Sequence, residues 1–228
     1  MHFFSIPYVK LLFICFAICL VQEPGFAINV KDFGAKGDGK TDDTRAITIA
    51  ISGAADGIVE FPRGNYRITK TIEIDLSHQG TLGLSGRGAS ANIIMAGEGP
   101  AFRFIGSHDK GSALPASVKQ ITWDKERMPL IDALEIIGDH INADGIELRN
   151  TFMPTLRALL IRNVRTGIHL TSRNRNVLID ACHVYNNSGI GIFLDQVNIH
   201  QFIISDSHIS YCKKGGIKVV NSEIRNFQ

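Results

Sequence analysis

Cysteine is scarce in this chain: there are 4 in 228 residues, and Cys15 and Cys19 fall within the first 27, leaving only Cys182 and Cys212 beyond them. That number and spacing give neither a disulfide framework nor a zinc-ligand pattern. Burial and hydrogen bonding must hold the fold. Net charge is nearly absent as well, with 24 Lys+Arg against 22 Asp+Glu for a formal +2. No block of five basic residues occurs, so nucleic acid is not an expected partner. No apolar run reaches the ~20 residues of a spanning helix. The best candidate, Leu11 to Val21, follows Lys10 and precedes Pro24 and the small-x-small triplet Gly25-Phe26-Ala27, which is the pattern of a secretory signal peptide cleaved near Ala27. Residues 1–27 are therefore read as a leader, and the mature protein as secreted, periplasmic or on the cell surface, without stable membrane insertion. Proline is sparse at 7, whereas glycine reaches 22, which favours short elements joined by tight turns and points to an all-β chain.

What the second half does contain is a repeat. Gly145-Ile-Glu-Leu, Gly167-Ile-His-Leu, Gly191-Ile-Phe-Leu and Gly216-Ile-Lys-Val recur at separations of 22, 24 and 25 residues. The segment from Val177 aligns without a gap to the segment from Phe202, apolar position on apolar position. Within each tetrad, period-2 alternation sends the Ile and the Leu or Val to one side and the middle residue to the other. With the V-x-I and C-x-V stretches, each repeat supplies about three short strands. A unit this small cannot bury its apolar side alone, but units stacked at the ~4.8 Å strand spacing share one core. The expected fold is a right-handed parallel β-helix. In the 25-residue register Cys182 matches Ser207 and Asn187 matches Cys212, so no disulfide between the two cysteines is expected.

The first half reads as the entry to this solenoid. Thr41, Asp42 and Asp43 are N-cap candidates before Ala46, Ile47, Ala50 and Ile51, a short amphipathic helix closed by Gly53. Such a helix covers the otherwise open first coil. Residues 106–130, with the single tryptophan Trp123, break the pattern and are read as an insertion looping out of one coil. Ser222 to Gln228 look like the first strand of a further coil, so the domain, residues 28–228, is read as C-terminally incomplete.

Asn29 to Ile51, NVKDFGAKGDGKTDDTRAITIAI, followed by GIVEFPRGNYRI from Gly57, closely resembles the N-terminal segment of the pectate lyase superfamily, in its rhamnogalacturonase- and epimerase-like branch of right-handed β-helix proteins. In that family the segment is mainly structural, so the resemblance implies that Gly34, Gly37 and Gly39 shape a turn and that Asp42, Asp43 and Thr44 open the cap helix. It implies action on polysaccharides without fixing the reaction. The polygalacturonase elements N-T-D, D-D and G-H-G have no counterpart here, and Gly216-Ile217-Lys218 only partly matches R-I-K. The epimerase D-P-H-E and the pectate lyase R-x-P-x-x-R are absent too.

Stacking the tetrads gives one outward column, Glu147, His169, Phe193 and Lys218, beside a second, Arg149, Thr171, Asp195 and Val220. Glu147, His169, Asp195 and Lys218 are the candidate catalytic residues. A base for the proton alpha to a uronate carboxyl, with a nearby cation, suits lyase or epimerase chemistry. A hydrolase needs two carboxyls ~5–9.5 Å apart, and Glu147 and Asp195 are only marginally placed for it. Between Arg149 and Arg175 there are 6 Arg and no acid. Arg149, Arg173 and Arg175, with Phe193 as a stacking ring, are the candidate substrate-binding residues for a polyuronate. Arg173 and Arg175 are read as adjacent on a turn. No cofactor is implied. His183 and His208 should stack one rung apart with Asp180 and Asp206 near, an arrangement read as a surface ladder with a metal site as the alternative; Ca²⁺ stays open, and isolated aspartates do not assign it. Three readings remain: an enzyme of lyase, epimerase or hydrolase type on an anionic polysaccharide, a non-catalytic carbohydrate-binding or adhesion solenoid, and an inactive fragment.

Overall fold

A computed structural model of the chain describes residues 27–88, 90–111 and 114–228. The expected leader, apart from Ala27, lies outside the described residues. From Ile28 onward the chain winds as a parallel solenoid with three strands in each complete turn. Face 1 is exemplified by Leu130–Asp132, Thr155–Arg157 and Val177–Asp180. Face 2 follows with Leu134–Gly138, Leu160–Arg162 and His183–Tyr185. Face 3 carries the tetrads, in Ala143–Arg149, Thr166–Asn174, the first half of Ile190–Ser205, and Gly215–Val220. Every strand pairing within these ladders is parallel. Face 2 forms a seven-stranded sheet, while faces 1 and 3 merge into one of thirteen strands because Ile190–Ser205 runs unbroken around the corner between them.

The alternation read in the tetrads is what fills the core. Ile146, Ile168 and Ile192 stack in one file, and Leu148, Leu170 and Leu194 in the next, all buried. The equivalent Ile217 and Val219, in the strand Gly215–Val220, are half-exposed. The recurrent tetrad glycine has a steric cause. A Cβ on Gly145, Gly167 or Gly191 would run into the carbonyl oxygen of the glycine one rung on and into an isoleucine or valine of face 2. The corners are made largely without glycine: Ala133, Ala158, Ala181 and Asp206, all between faces 1 and 2, hold φ of 54°, 52°, 51° and 46°. Each such residue costs about 1 kcal/mol, offset by the uninterrupted ladders on either side. Buried amides satisfy the backbone where the chain bends inward. Asn174 Oδ1 accepts from Thr151 N (3.1 Å) and Thr151 Oγ1 (2.7 Å), and Asn187 Oδ1 accepts from Val164 N (3.1 Å). Cys182 and Cys212 are both free, and Cys182 N donates to Ser207 Oγ, its counterpart one rung on.

The helix expected over the first coil spans Thr44–Ser52 and buries Ile47, Ala50 and Ile51. Its capping differs in detail from the expectation. Asp43 occupies the N-cap position but makes no side-chain cap. Its carboxylate, 1% exposed, turns back and accepts from Lys36 N (2.6 Å) and Gly37 N (2.9 Å). Asp42 takes the capping role, accepting from Thr44 N at 3.0 Å. Gly37, at φ 62° and placed so that a Cβ would press on the Tyr66 ring, is one place where the turn demands glycine. The insertion, between Ile105 and Leu130, does not loop free. It packs back on the corner between faces 3 and 1, where Trp123 meets Phe152 edge-on at 4.7 Å and His108 N donates to Asn150 O.

Candidate functional site

The outward column expected from the tetrads is present, residue by residue: Glu147 pairs with His169, His169 with Phe193, and Phe193 with Lys218. The second column also holds, Arg149 to Thr171 to Asp195 to Val220. Face 3 extends further toward the N-terminus than the tetrads indicate. Arg103 pairs with Glu147 and Glu73 with Arg103, so the column runs Glu73, Arg103, Glu147, His169, Phe193, Lys218. Arg103 and Glu73 escape a search for the tetrad because the insertion separates their coils from the regular repeats. Phe102-Arg103-Phe104 and Ile72-Glu73-Ile74 nevertheless keep the apolar-x-apolar pattern, which was the signal available.

The lower rungs neutralise one another. Glu147 is 5% exposed, and both of its oxygens are occupied: Arg103 Nε donates to Oε2 at 2.9 Å and Arg149 to Oε1 at 2.7 Å. Arg103 also reaches Glu73 at 2.6 Å. Burial works against the Arg103 charge, but the hydrogen bonds it donates to these two carboxylates more than offset it and raise its pKa. The upper rungs are different. The His169 ring stacks on Phe193 at 5.2 Å and 12° between planes, with its Nε2 at 3.9 Å from Asp195 Oδ2. That separation is too long for a hydrogen bond, and the Nε2 atom is buried without a partner. Burial lowers the His169 pKa below the ordinary 6.5, although Glu147 and Asp195 pull it back upward. The imidazole is thus neutral at pH 7, able to accept a proton and next to a carboxylate that would stabilise it once protonated. Lys218 Nζ lies 6.0 Å from the Phe193 ring centre on its other side.

The arginine-rich stretch scatters around the coil, and most of its charge is cancelled, for Arg149 by an acid two residues back on its own strand and for the others by acids one turn earlier. Arg149 pairs with Glu147, Arg157 with Asp132, Arg162 with Glu135, and Arg165 with Asp144. Arg173 makes no ion pair among the described residues. The turn expected to carry Arg173 and Arg175 lies just before them, at the register shift between Thr171 and Ser172: Arg173 is in the extended end of the strand Thr166–Asn174, and Arg175 follows directly. Arg175 is also 6% exposed, its guanidinium 5.9 Å over the Phe152 ring beneath the insertion, so it does not present an open surface. His183 and His208 stack at 5.0 Å as expected and, with Leu160, Tyr185 and Ser210, line a concavity of about 470 Å³ on face 2. No cluster of three or more metal-ligating side chains occurs among the described residues.

Comparison with known proteins agrees with this architecture. Residues 27–218 match the family described as rhamnogalacturonase A/epimerase, pectate lyase-like. Alginate lyase 7 of Azotobacter vinelandii is 36% identical over 121 residues, 51% of this chain and 13% of that protein. Mannuronan C5-epimerase AlgE6 of the same organism is 38% identical over 84 residues, 34% of this chain and 10% of that one. The chain thus spans only a small part of these relatives' length. Among solved structures, the Agl-KA catalytic domain superposes with a TM-score of 0.62 at 14% identity, over 88% of this chain and 35% of that domain. ORF18 of Geobacillus virus E2 superposes with a TM-score of 0.57 at 20% identity, over 87% and 52%.

Proposed function

The chain belongs to the rhamnogalacturonase A/epimerase, pectate lyase-like family, and on that premise we propose that it is an exported protein that binds an extended, uronate-containing polysaccharide along face 3 and acts on it by removing a proton. The observation that carries this reading is the neutral His169 ring, stacked on Phe193 and 3.9 Å from the Asp195 carboxylate. His169 is the base that takes the proton alpha to the sugar carboxyl. Asp195 stabilises the imidazolium that forms. Arg149, held in place by Glu147, and Lys218 supply positive charge for the substrate carboxylate as negative charge builds on it. Phe193 and the ring stacked on it give a sugar an apolar surface. Glu147 enters this scheme as the anchor of Arg149 and Arg103, because both of its oxygens are already used.

The same geometry weighs against hydrolysis, since the carboxyl pair such chemistry needs would have to include an oxygen pair already committed to two arginines. Lyase and epimerase chemistry share the first step and differ in the second. Elimination breaks the bond to the leaving sugar oxygen and leaves an unsaturated uronate, while epimerisation returns a proton to the opposite side of the ring. Relatives named alginate lyase and mannuronan C5-epimerase support an acidic glycan. The test is incubation with polyuronates and neutral glucans, following unsaturated-uronate absorbance, new reducing ends and exchange of solvent deuterium into the sugar. Absorbance marks a lyase, exchange alone an epimerase, and reducing ends alone a hydrolase, which would overturn the proton-abstraction reading. The tied ladder from Glu73 to Arg149 favours the second reading, a non-catalytic glycan-binding solenoid, and retained binding without turnover on any substrate would establish it.

A further inference from the structure

Beyond face 3, the strand Thr166–Asn174 turns the corner through a register shift between Thr171 and Ser172, with Ser172 at φ 63°. The residues past that corner stack in two short files. Arg173 is followed by Asn198 and Glu223. Phe152 is followed by Arg175, and the pairings Asn174 to Ile199 and Ile199 to Ile224 place His200 and then Arg225 on the next two rungs. The insertion walls this corner on one side. Its His108, 1% exposed, accepts from Arg173 Nε at 3.3 Å, which fixes one edge of the guanidinium and leaves the other edge to point elsewhere. On the opposite side Arg225 is exposed, paired with Glu223, which also accepts from Asn198.

Cations outnumber acids here. Arg173, Arg175, Arg225 and Lys119 surround the corner, against Glu223, Asp109, bonded to Lys119 at 2.6 Å, and the buried Glu126, whose Oε2 accepts from Ser107 N at 2.7 Å. Three groups feel the same excess. Burial and then the Arg173 and Arg175 charges bring His108 down to about 4. Burial and then Arg175, Arg225 and Arg173 lower His200. Burial and then Arg173 lower Arg175. The His200 Nδ1 atom is buried and has no hydrogen-bond partner. A protein does not gather an excess of positive charge around two neutral imidazoles for stability, since each like-charge contact is unfavourable.

We propose that this corner, built from Arg173, His200 and Arg225 and walled by His108, is a second subsite that takes an oxyanion carried on a glycan, a carboxylate or a sulfate ester, outside face 3. The inference rests on the polysaccharide reading but not on its chemistry. Arg173 is two residues along the strand from Thr171, which separates Arg149 from Asp195 on face 3, or ~7 Å by strand rise. One flanking sugar therefore reaches the corner while its neighbour sits over Phe193. Arginine suits the role because its planar fork bonds both oxygens of such a group.

The test is calorimetric titration of the full chain with an oligouronate, a sulfated neutral oligosaccharide and an uncharged one of equal length, at two salt concentrations. The variants are Arg225→Gln, whose side chain is exposed, Arg173→Gln and Arg173→Lys, with melting curves recorded for each. The expected result is about tenfold weaker binding of a charged oligomer for Arg173→Gln, partial rescue in Arg173→Lys, a smaller loss for Arg225→Gln, and a shallower salt dependence in each. Binding of the uncharged oligomer should not change. Whichever of the uronate and sulfate arms responds identifies the group. Equal affinity of all variants for both charged oligomers, or failure of the wild type to bind either, overturns the subsite. Failure of turnover with these binding effects intact overturns only the catalytic reading.

Discussion

Two stretches of one outward column behave in opposite ways. From Glu73 through Arg103 to Glu147, successive rungs carry alternating charge and are tied by ion pairs. From His169 through Phe193 to Lys218 they carry a neutral ring, an aromatic ring and an amine, with Asp195 alongside. The backbone is the same in both, parallel strands in register with an isoleucine, leucine, valine or phenylalanine on either side of each outward residue. What differs is only which side chain the solenoid places above which. Two arginines sharing one carboxylate lock that carboxylate and remove it from chemistry, whereas a histidine one rung below a phenylalanine stays desolvated and proton-accepting. A repeat can thus hold a structural ladder and a desolvated, unpaired histidine on a single sheet without changing its core.

The sharpest way to break the contrast is to remove the proton acceptor. His169→Gln keeps the size of the side chain and should lower turnover by about 10²–10⁴-fold, measured as initial rate on the polyuronate that the wild type uses. The wild-type rate should fall as pH drops through the depressed His169 pKa, on an acid limb below pH 6.5. A limb above pH 6.5 would contradict the placement of that ring.

The next effect lies off the column, at His108, where pH acts on stability instead of rate. Its folded pKa, brought down to about 4 by burial and then by Arg173 and Arg175, is below the unfolded 6.5. Protonation therefore favours the unfolded chain, and the penalty is absent above pH 6.5 and grows as pH falls toward 4. The full difference is about 3 kcal/mol. Denaturant unfolding from pH 7 to 4 should show the wild type losing that much more stability than His108→Gln.

Legibility in the sequence depends on where each signal sits. The tetrads exposed the solenoid, the tetrad column and its register because glycine, core and outward positions recur at a fixed offset and each has a local cause. The arginine run misled in one respect, since acids one coil back, such as Asp132 and Asp144, cancel most of it. Those pairings depend on coil length, which sequence spacing gives only where the repeat is regular. Arg103, Glu73 and the corner around His108 were hidden for the same reason, the insertion having displaced them from the period. Arg175 looked exposed because nothing local shows that the insertion folds back over it.

The middle of the range is Glu147 itself. Glu147→Gln keeps the shape but removes the charge that two arginines share, so it should cost about 2 kcal/mol of stability and loosen Arg149. On the proposed scheme the substrate KM should then rise more than kcat falls. A collapse of kcat comparable to that of His169→Gln would instead make Glu147 a participant in the chemistry.

The smallest effect tests whether pairing across rungs is stabilising in itself. Arg157 and Asp132 meet at 2.9 Å on face 1 with the same one-coil offset as Arg103 and Glu147, but the Arg157 side chain is half-exposed. Water screens such a pair and its long side chain loses freedom on forming it, so Arg157→Gln should change unfolding stability by less than about 0.5 kcal/mol. If the change approached that for Glu147→Gln, the ladder on face 3 would owe its strength to register alone. A null result would assign it to burial: Glu147 matters because the rungs on either side exclude water from it, and the same exclusion one rung further on keeps His169 neutral.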